Sequence, residues 1–279
     1  MIFIVTLIAL LIERFFDWSH LRRWNWFLGY QRMVSQRAAG MPPYLSLAVT
    51  LIPPLFVTVL VQFMLKDALF GFVELLFQLL VFLYCLGPQN LWADTFACVN
   101  ALVQGDASAA KQKLRAAFGA PQGEDTQTCP DQLLNQVFIA ANRRVFAIVF
   151  WFMVLGPAGA VLYRAVTVLT GMPSARDVTA DKMKEARWVE SVLDWIPVRI
   201  LTCVFALGGH FVKVFSCWRK KSVLSLDINE KLLTECGAAA LGAENAAEGE
   251  GAAVKNAIGL LDRSFVITLV MVAIIVLLG

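Results

Sequence analysis

The chain has 279 residues, of which 58% are apolar and 16% are charged, and its mean hydropathy is +0.66. An ordinary soluble domain has about 45–50% apolar and about 25% charged residues, so this composition excludes that class. The net charge of +3 is too small to indicate nucleic-acid binding. Because the apolar residues form long runs, we predict an all-α polytopic membrane protein with five or six transmembrane helices, residues 1–279 forming one membrane domain.

The amino-terminal region combines an apolar start with a basic, aromatic segment. The run Met1–Ile12 lacks the basic residues that open a signal peptide, and Glu13 and Arg14 stand where small residues would precede a cleavage site. We therefore expect this run to be retained. Segment 17–43 mixes aromatic residues with arginines, which is typical of a helix lying in the membrane interface against phospholipid. A groove for a specific partner could use the same residues.

Two apolar runs joined by a polar turn predict a transmembrane hairpin. The runs are Tyr44–Leu65 and Ala68–Gly87, separated by Lys66-Asp67. The pair Pro53-Pro54 lies in the middle of the first run, removes two backbone donors and should kink the helix. A membrane helix tolerates such prolines where neighbouring helices or local readjustment satisfy the freed carbonyl groups.

Segment 88–144 is predicted to be cytoplasmic and helical. An Ala-rich stretch follows Asp106, a typical helix-starting residue, and ends at Gly119, a typical carboxyl-terminal cap. Pro130 then suits the first turn of a helix that continues into the membrane.

Three further apolar runs follow in the second half of the chain. Val145–Leu169 is interrupted by Gly156-Pro157-Ala158-Gly159, which fits either one kinked helix or a re-entrant hairpin. Ile196–Cys217 lies between two tryptophans and predicts a span that Pro197 starts, and Phe265–Leu278 predicts a last, short one.

The basic residues predict which side of the membrane each loop occupies. If all runs cross, segments 17–43, 88–144 and 218–263, together with Arg14, carry 16 basic residues, whereas the opposite side carries 5. The positive-inside rule makes the larger set cytoplasmic and both termini external. A re-entrant reading of 145–169 would place Arg219-Lys220-Lys221 outside, so the charges argue against it. Within 218–263, the Ala-, Gly- and Glu-rich stretch 237–253 predicts a flexible linker.

Ionisable residues in or beside the runs are the candidate functional residues, because each costs about 2.5–3.5 kcal/mol near mid-bilayer. The candidates for a polar or anion-binding site are Arg199, Asp194, Arg164, Glu13, Arg14 and His210. We expect Arg199 and Arg164 to converge on one small anion, and the alternative is a structural Asp194–Arg199 pair. The common nucleotide, zinc and hydrolase motifs are absent from the sequence, which therefore indicates no catalytic residue, metal or cofactor.

One stretch carries a family resemblance. Leu193–Arg199 reads LDWIPVR and continues to ALGGH at Ala206–His210, which resembles the signature of the AmpE family of bacterial inner-membrane modulators of β-lactamase induction. Ile12-Glu13-Arg14 and Asn142-Arg143-Arg144 extend the resemblance. It implies a non-enzymatic accessory or signalling protein in the response to cell-wall stress, with an unidentified protein partner.

AmpE proteins are similar in turn to the CbiB/CobD membrane enzymes of cobalamin biosynthesis. Tyr163–Val166 echoes their pattern, but their acidic motif is replaced here by Ala140–Arg144, and a later acid by Thr170. Carboxylates hold the magnesium that phosphate chemistry needs, so the resemblance implies that catalysis is lost. The alternatives are a working enzyme of the cobalamin type and a small transporter or lipid-binding protein.

Overall fold

The computed structural model describes residues 4–9, 24–37, 40–66, 71–86, 91–119, 129–171, 180–220, 225–226, 228–242 and 252–278. Within these ranges the regular secondary structure is helical and includes no strand. The prediction of an all-α membrane protein is confirmed, since several of these helices are long and apolar enough to cross a bilayer.

Residues 4–9 are helical, and the longer helices are numbered from Asn25 onward. They are α1 Asn25–Arg37, α2 Pro43–Leu65, α3 Phe72–Cys85, α4 Leu91–Val103, α5 Ala107–Phe118, α6 Cys129–Ala141, α7 Ala147–Leu155, α8 Pro157–Thr170, α9 Ala180–Gly208, α10 Phe211–Lys220, α11 Asn229–Leu241 and α12 Ala252–Leu278. A π-helical turn, Asn142–Phe146, joins α6 to α7.

Four helices among the described residues have the length and composition of membrane spans. They are Pro43–Leu65, Pro130–Leu155, Ala180–Gly208 and Ala252–Ile274. The predicted second span of the hairpin corresponds to α3, which has 14 residues and is therefore only about 21 Å long.

The predicted helix boundaries between the spans are confirmed. The Asp106 carboxylate accepts a hydrogen bond of 2.9 Å from the backbone N–H of Ala109, so it caps α5 and lowers the pKa of Asp106. Gly119 ends the helix in a left-handed conformation with φ 85°. The next helix includes Pro130 in its first turn and continues through the π-helical turn to Leu155.

The prolines of α2 lie inside an unbroken helix. A residue at position 53 would normally donate its N–H to the carbonyl oxygen of Val49, and proline cannot. The Tyr30 hydroxyl of α1 donates to that oxygen instead, over 2.9 Å. A neighbouring helix thus satisfies the carbonyl freed by Pro53, as the sequence predicts.

In α9, too, an aromatic side chain replaces a donor that proline lacks. The structure of this helix also corrects the predicted span Ile196–Cys217. The helix begins at Ala180 and ends at Gly208, and Pro197 lies within it rather than at its entrance. Proline at this position frees the carbonyl oxygen of Leu193, and the Trp151 indole N–H donates to that oxygen over 3.1 Å. The expected break at Pro197 does not occur because a long-range donor replaces the missing one.

The run 145–169 forms two helices joined by a sharp turn, so of the two readings of the sequence the structure favours the hairpin over one kinked helix. Gly156 has φ 66° and separates α7 from α8. A Cβ atom at Gly159 would overlap the backbone carbonyl oxygen of Trp151, eight positions earlier. A continuous helix would separate these positions by about 12 Å along its axis, so the chain turns sharply at Gly156.

The chain forms two compact units. The first consists of Met1–Pro88 and Ala147–Asp194, and the second of Gln89–Phe146 and Trp195–Gly279. In the first unit, α8 is the most buried helix and packs against α2, α3 and α7. The rings of Phe82 and Phe152, both fully buried, lie 4.5 Å apart in its core.

In the second unit, α6, α11 and α12 pack against one another around a core that includes Phe138 and Phe205. Gly237 lets α11 approach α6 closely, because a Cβ there would lie 2.7 Å from the Phe138 ring. The predicted linker 237–253 begins inside this helix, which continues to Leu241. Its residues 243–251 lie outside the described part of the chain.

Candidate functional site

Asp194 is a buried acid in the first unit. Its side chain is 6% exposed, and the Tyr163 hydroxyl of α8 donates to its carboxylate over 2.7 Å. Glu190, one helical turn earlier on α9, is 4% exposed, and Arg164, next to Tyr163, is 8% exposed. Charged side chains are rarely buried unless they are paired, so this is an unusually polar interior for an apolar protein.

Arg199 is a buried base in the second unit, where its guanidinium group joins α9 to the chain segment that leads into α11. One terminal nitrogen donates to the carbonyl oxygen of Trp195 over 2.6 Å and to the side-chain oxygen of Asn229 over 2.9 Å. The other donates to the carbonyl oxygen of Ser225 over 3.0 Å. The group also stacks over the Trp195 ring at 4.3 Å, a cation–π contact.

The anion site predicted from the sequence stays a prediction. The structure buries Arg164, Asp194 and Arg199, and it gives Asp194 and Arg199 the partners named above. Arg164 belongs to the first unit and Arg199 to the second. Glu13 and Arg14 lie outside the described residues.

His210 belongs to an exposed bend that docks on the end of α11. Its backbone N–H donates to the carbonyl oxygen of Ala240 over 3.0 Å, and its imidazole lies beside Gly242. A Cβ at Gly209 would lie 2.5 Å from the same carbonyl oxygen. The GGH sequence therefore permits a close backbone approach between the bend after α9 and the carboxyl end of α11.

Two arginines occupy the place where the resemblance to the cobalamin enzymes calls for an acidic motif. Arg143 donates to the Glu230 carboxylate over 3.0 Å, and Arg144 to the Asp94 carboxylate over 3.1 Å. Arg144 also stacks on the Phe118 ring at 5.1 Å. These ion pairs connect the π-helical turn to α11 and to α4, so the arginines organise the second unit.

Sequence reasoning missed Tyr163, Glu190 and Asn229 as members of these polar clusters. Asn229 is an ordinary residue in the sequence, and Tyr163 stands out only as part of the segment Tyr163–Val166. Only long-range packing brings the two to Arg199 and Asp194. Glu190 carried a usable signal, because it precedes Asp194 by four positions and so shares its helix face.

The Arg199 contacts predict a stability cost for a conservative substitution. Arg199→Lys keeps the charge, but a single ammonium group cannot reach Trp195, Asn229 and Ser225 with the geometry of the guanidinium fork. We expect the free energy of unfolding to fall by about 1.5–3 kcal/mol, the contribution of one hydrogen bond to a charged group. Unfolding of the purified chain in mild detergent measures it. Arg219→Lys, at an exposed site in α10, is the matched control. Equal stability of the two variants would contradict the bridging role.

Comparison with curated proteins gives two groups of relatives. The chain is 29% identical to Protein AmpE of Shigella flexneri over 225 residues, which cover 76% of each chain. It is 26% identical over 175 residues to the cobalamin biosynthesis protein CobD of Chromobacterium violaceum, and 27% identical over 166 residues to that of Stutzerimonas stutzeri. The match spans 55% of the length of each CobD relative.

No solved structure matches the chain significantly. The family described as regulatory signalling modulator protein AmpE matches residues 1–279. This match covers the LDWIPVR and ALGGH segments together with every helix described above. The chain therefore belongs to the AmpE family.

Proposed function

We propose that this chain is a non-catalytic signalling or accessory protein of the bacterial inner membrane that links cell-wall stress to β-lactamase induction. The description of its family as a regulatory signalling modulator supports the signalling part. The likeness to Shigella AmpE covers more of this chain than the likeness to either CobD relative named above, which favours the regulatory branch.

The non-catalytic part of the proposal rests on the ion pairs that Arg143 and Arg144 form with Glu230 and Asp94. Carboxylates bind magnesium in phosphate chemistry, and they must be available to the metal to do so. Here two acids beside the corresponding segment, Glu230 and Asp94, each accept a hydrogen bond from an arginine. The polar groups of this region therefore hold helices together, which suits a scaffold for protein contacts.

Complementation in two bacterial hosts tests this proposal. In a strain lacking its AmpE protein, we expect the chain to restore β-lactamase induction by a β-lactam below its inhibitory concentration. In a strain lacking CobD, we expect no restoration of cobalamin-dependent growth. Growth of the second strain would overturn the non-catalytic assignment, and unrestored induction in the first, with the chain present in the membrane, would overturn the signalling role.

The anion site predicted at Arg199 is part of the same proposal. The Arg199→Lys variant separates binding from folding when induction is measured at a temperature where the variant remains folded and inserted. Loss of induction under these conditions supports an anion bound bidentately by arginine. Full induction means that Arg199 acts through stability alone.

The proposed membrane orientation has its own test. With run 145–169 counted as a crossing, the excess of 16 basic residues over 5 predicts that residues 170–195 face the periplasm and residues 218–263 the cytoplasm. A re-entrant run that turns at Gly156 would exchange these two sides. With the native cysteines replaced, we expect a membrane-impermeant thiol reagent to label Ala180→Cys in intact cells. Asn245→Cys should be labelled only after permeabilisation. The reverse pattern would contradict this orientation.

A further inference from the structure

An apolar groove of about 680 Å³ lies within the first unit, between α1, α2 and α3. Its lining includes Trp26 and Tyr30 on one side, Pro53 and Val57 on the second, and Leu80 on the third. The volume is that of a small-molecule site, and the walls are almost entirely apolar and aromatic.

The groove has fixed walls. The Trp26 indole N–H donates to the Tyr84 hydroxyl over 2.7 Å, and the Trp24 ring stacks on the Tyr84 ring at 5.4 Å. Tyr30 is held by its hydrogen bond to Val49. The polar atoms of these aromatic side chains therefore have partners within the protein, which leaves apolar ring surface toward the groove.

The groove lies halfway along a span. Helix α2 has 23 residues, about 35 Å, and Pro53 and Pro54 stand at its centre. A bilayer has a hydrocarbon core about 30 Å thick, so a groove at this depth meets lipid chains rather than headgroups. Several residues that line the groove are exposed on the protein surface, including Val57 at 56% and Leu80 at 57%.

The positive charge of α1 indicates that the lipid headgroup is anionic. Tyr30 contacts Val49, and Ser35, one turn later in α1, lines a small cavity together with Ser46. Helix α1 therefore runs antiparallel to α2, and its exposed Arg32 and Arg37 lie toward the beginning of α2. The helix contains no acidic residue, so this end presents positive charge about 15 Å from the groove, at the depth of a headgroup.

We propose that this groove binds one acyl chain of an anionic phospholipid whose headgroup lies beside Arg37. The positive end of α1 and the apolar groove are separated by the distance that a lipid chain spans between its phosphate and the bilayer centre. The site lies within the first unit. The proposal of lipid binding does not rest on the signalling role proposed above.

The test compares two valines on one helix. Val57 lines the groove, whereas Val59, with a similar exposure of 52%, does not. The full chain is purified in mild detergent and incubated with palmitoyl-oleoyl phosphatidylglycerol or with the corresponding zwitterionic phosphatidylcholine. Native mass spectrometry then gives the fraction of chains that retain one lipid.

We expect the wild type to retain phosphatidylglycerol preferentially. Val57→Trp fills part of the groove, and exclusion of two lipid methylene groups weakens binding by about tenfold. Val59→Trp should bind as the wild type does. Arg37→Gln should remove the preference for phosphatidylglycerol while retaining the chain contact.

A second pair of variants, on α3, keeps the comparison possible if Val57→Trp fails to fold. Leu80 lines the groove and Leu76, also exposed, does not, so Leu80→Trp and Leu76→Trp repeat the comparison. Equal lipid retention by the groove variants and their controls overturns the proposal. A co-purifying apolar peptide displaced by Val57→Trp, with no effect on lipid, assigns the groove to a protein partner and also overturns it.

Discussion

The structure depends on how it satisfies carbonyl groups that proline leaves without a donor inside apolar helices. Water does not reach the core of a bilayer, so an unsatisfied carbonyl there costs several kcal/mol. Pro53 and Pro197 each free one carbonyl, and an aromatic side chain from another helix donates to each: Tyr30 to Val49 and Trp151 to Leu193. Each proline thereby specifies which helix must pack beside it. The Tyr30 contact places α1 along α2 and so forms one wall of the apolar groove, and the Trp151 contact brings α7 to α9.

The buried charged side chains also have hydrogen-bond partners within the protein. Asp194 accepts from Tyr163, Arg199 donates to Asn229 and two carbonyl groups, and Arg143 and Arg144 bind carboxylates. All of these contacts except the one to the Trp195 carbonyl join residues that are distant in sequence, so these polar groups fix the arrangement of helices within each unit. A protein built in this way uses these charges to hold its helices together. The proposal of a non-catalytic role rests on that use of charge at the position where the resemblance to the cobalamin enzymes calls for acids.

Local features of the fold were predictable from the sequence. The Asp106 cap and the Gly119 helix end follow from side-chain chemistry near one position, and the accommodation of Pro53 follows from the general tolerance of membrane helices for proline, although the sequence did not identify Tyr30 as the donor. The continuation of α9 through Pro197 was not predictable, because the compensating donor, Trp151, is 46 positions away. The same limit applies to Tyr163 and Asn229, whose roles arise from packing. The sharp turn at Gly156 was one of two readings of the sequence, and it is the reading against which the count of basic residues argued.

A double-mutant cycle on Trp151 and Pro197 tests most directly whether aromatic donors replace the proline N–H. In the wild-type chain, Trp151→Phe leaves the Leu193 carbonyl without its donor and should lower the free energy of unfolding by about 1–3 kcal/mol. In the Pro197→Ala background the restored N–H of residue 197 binds that carbonyl, so the same substitution should cost only the lost packing of the indole. Chemical unfolding of the four purified proteins in one detergent measures the coupling. A cost of Trp151→Phe that is the same in both backgrounds would contradict the account.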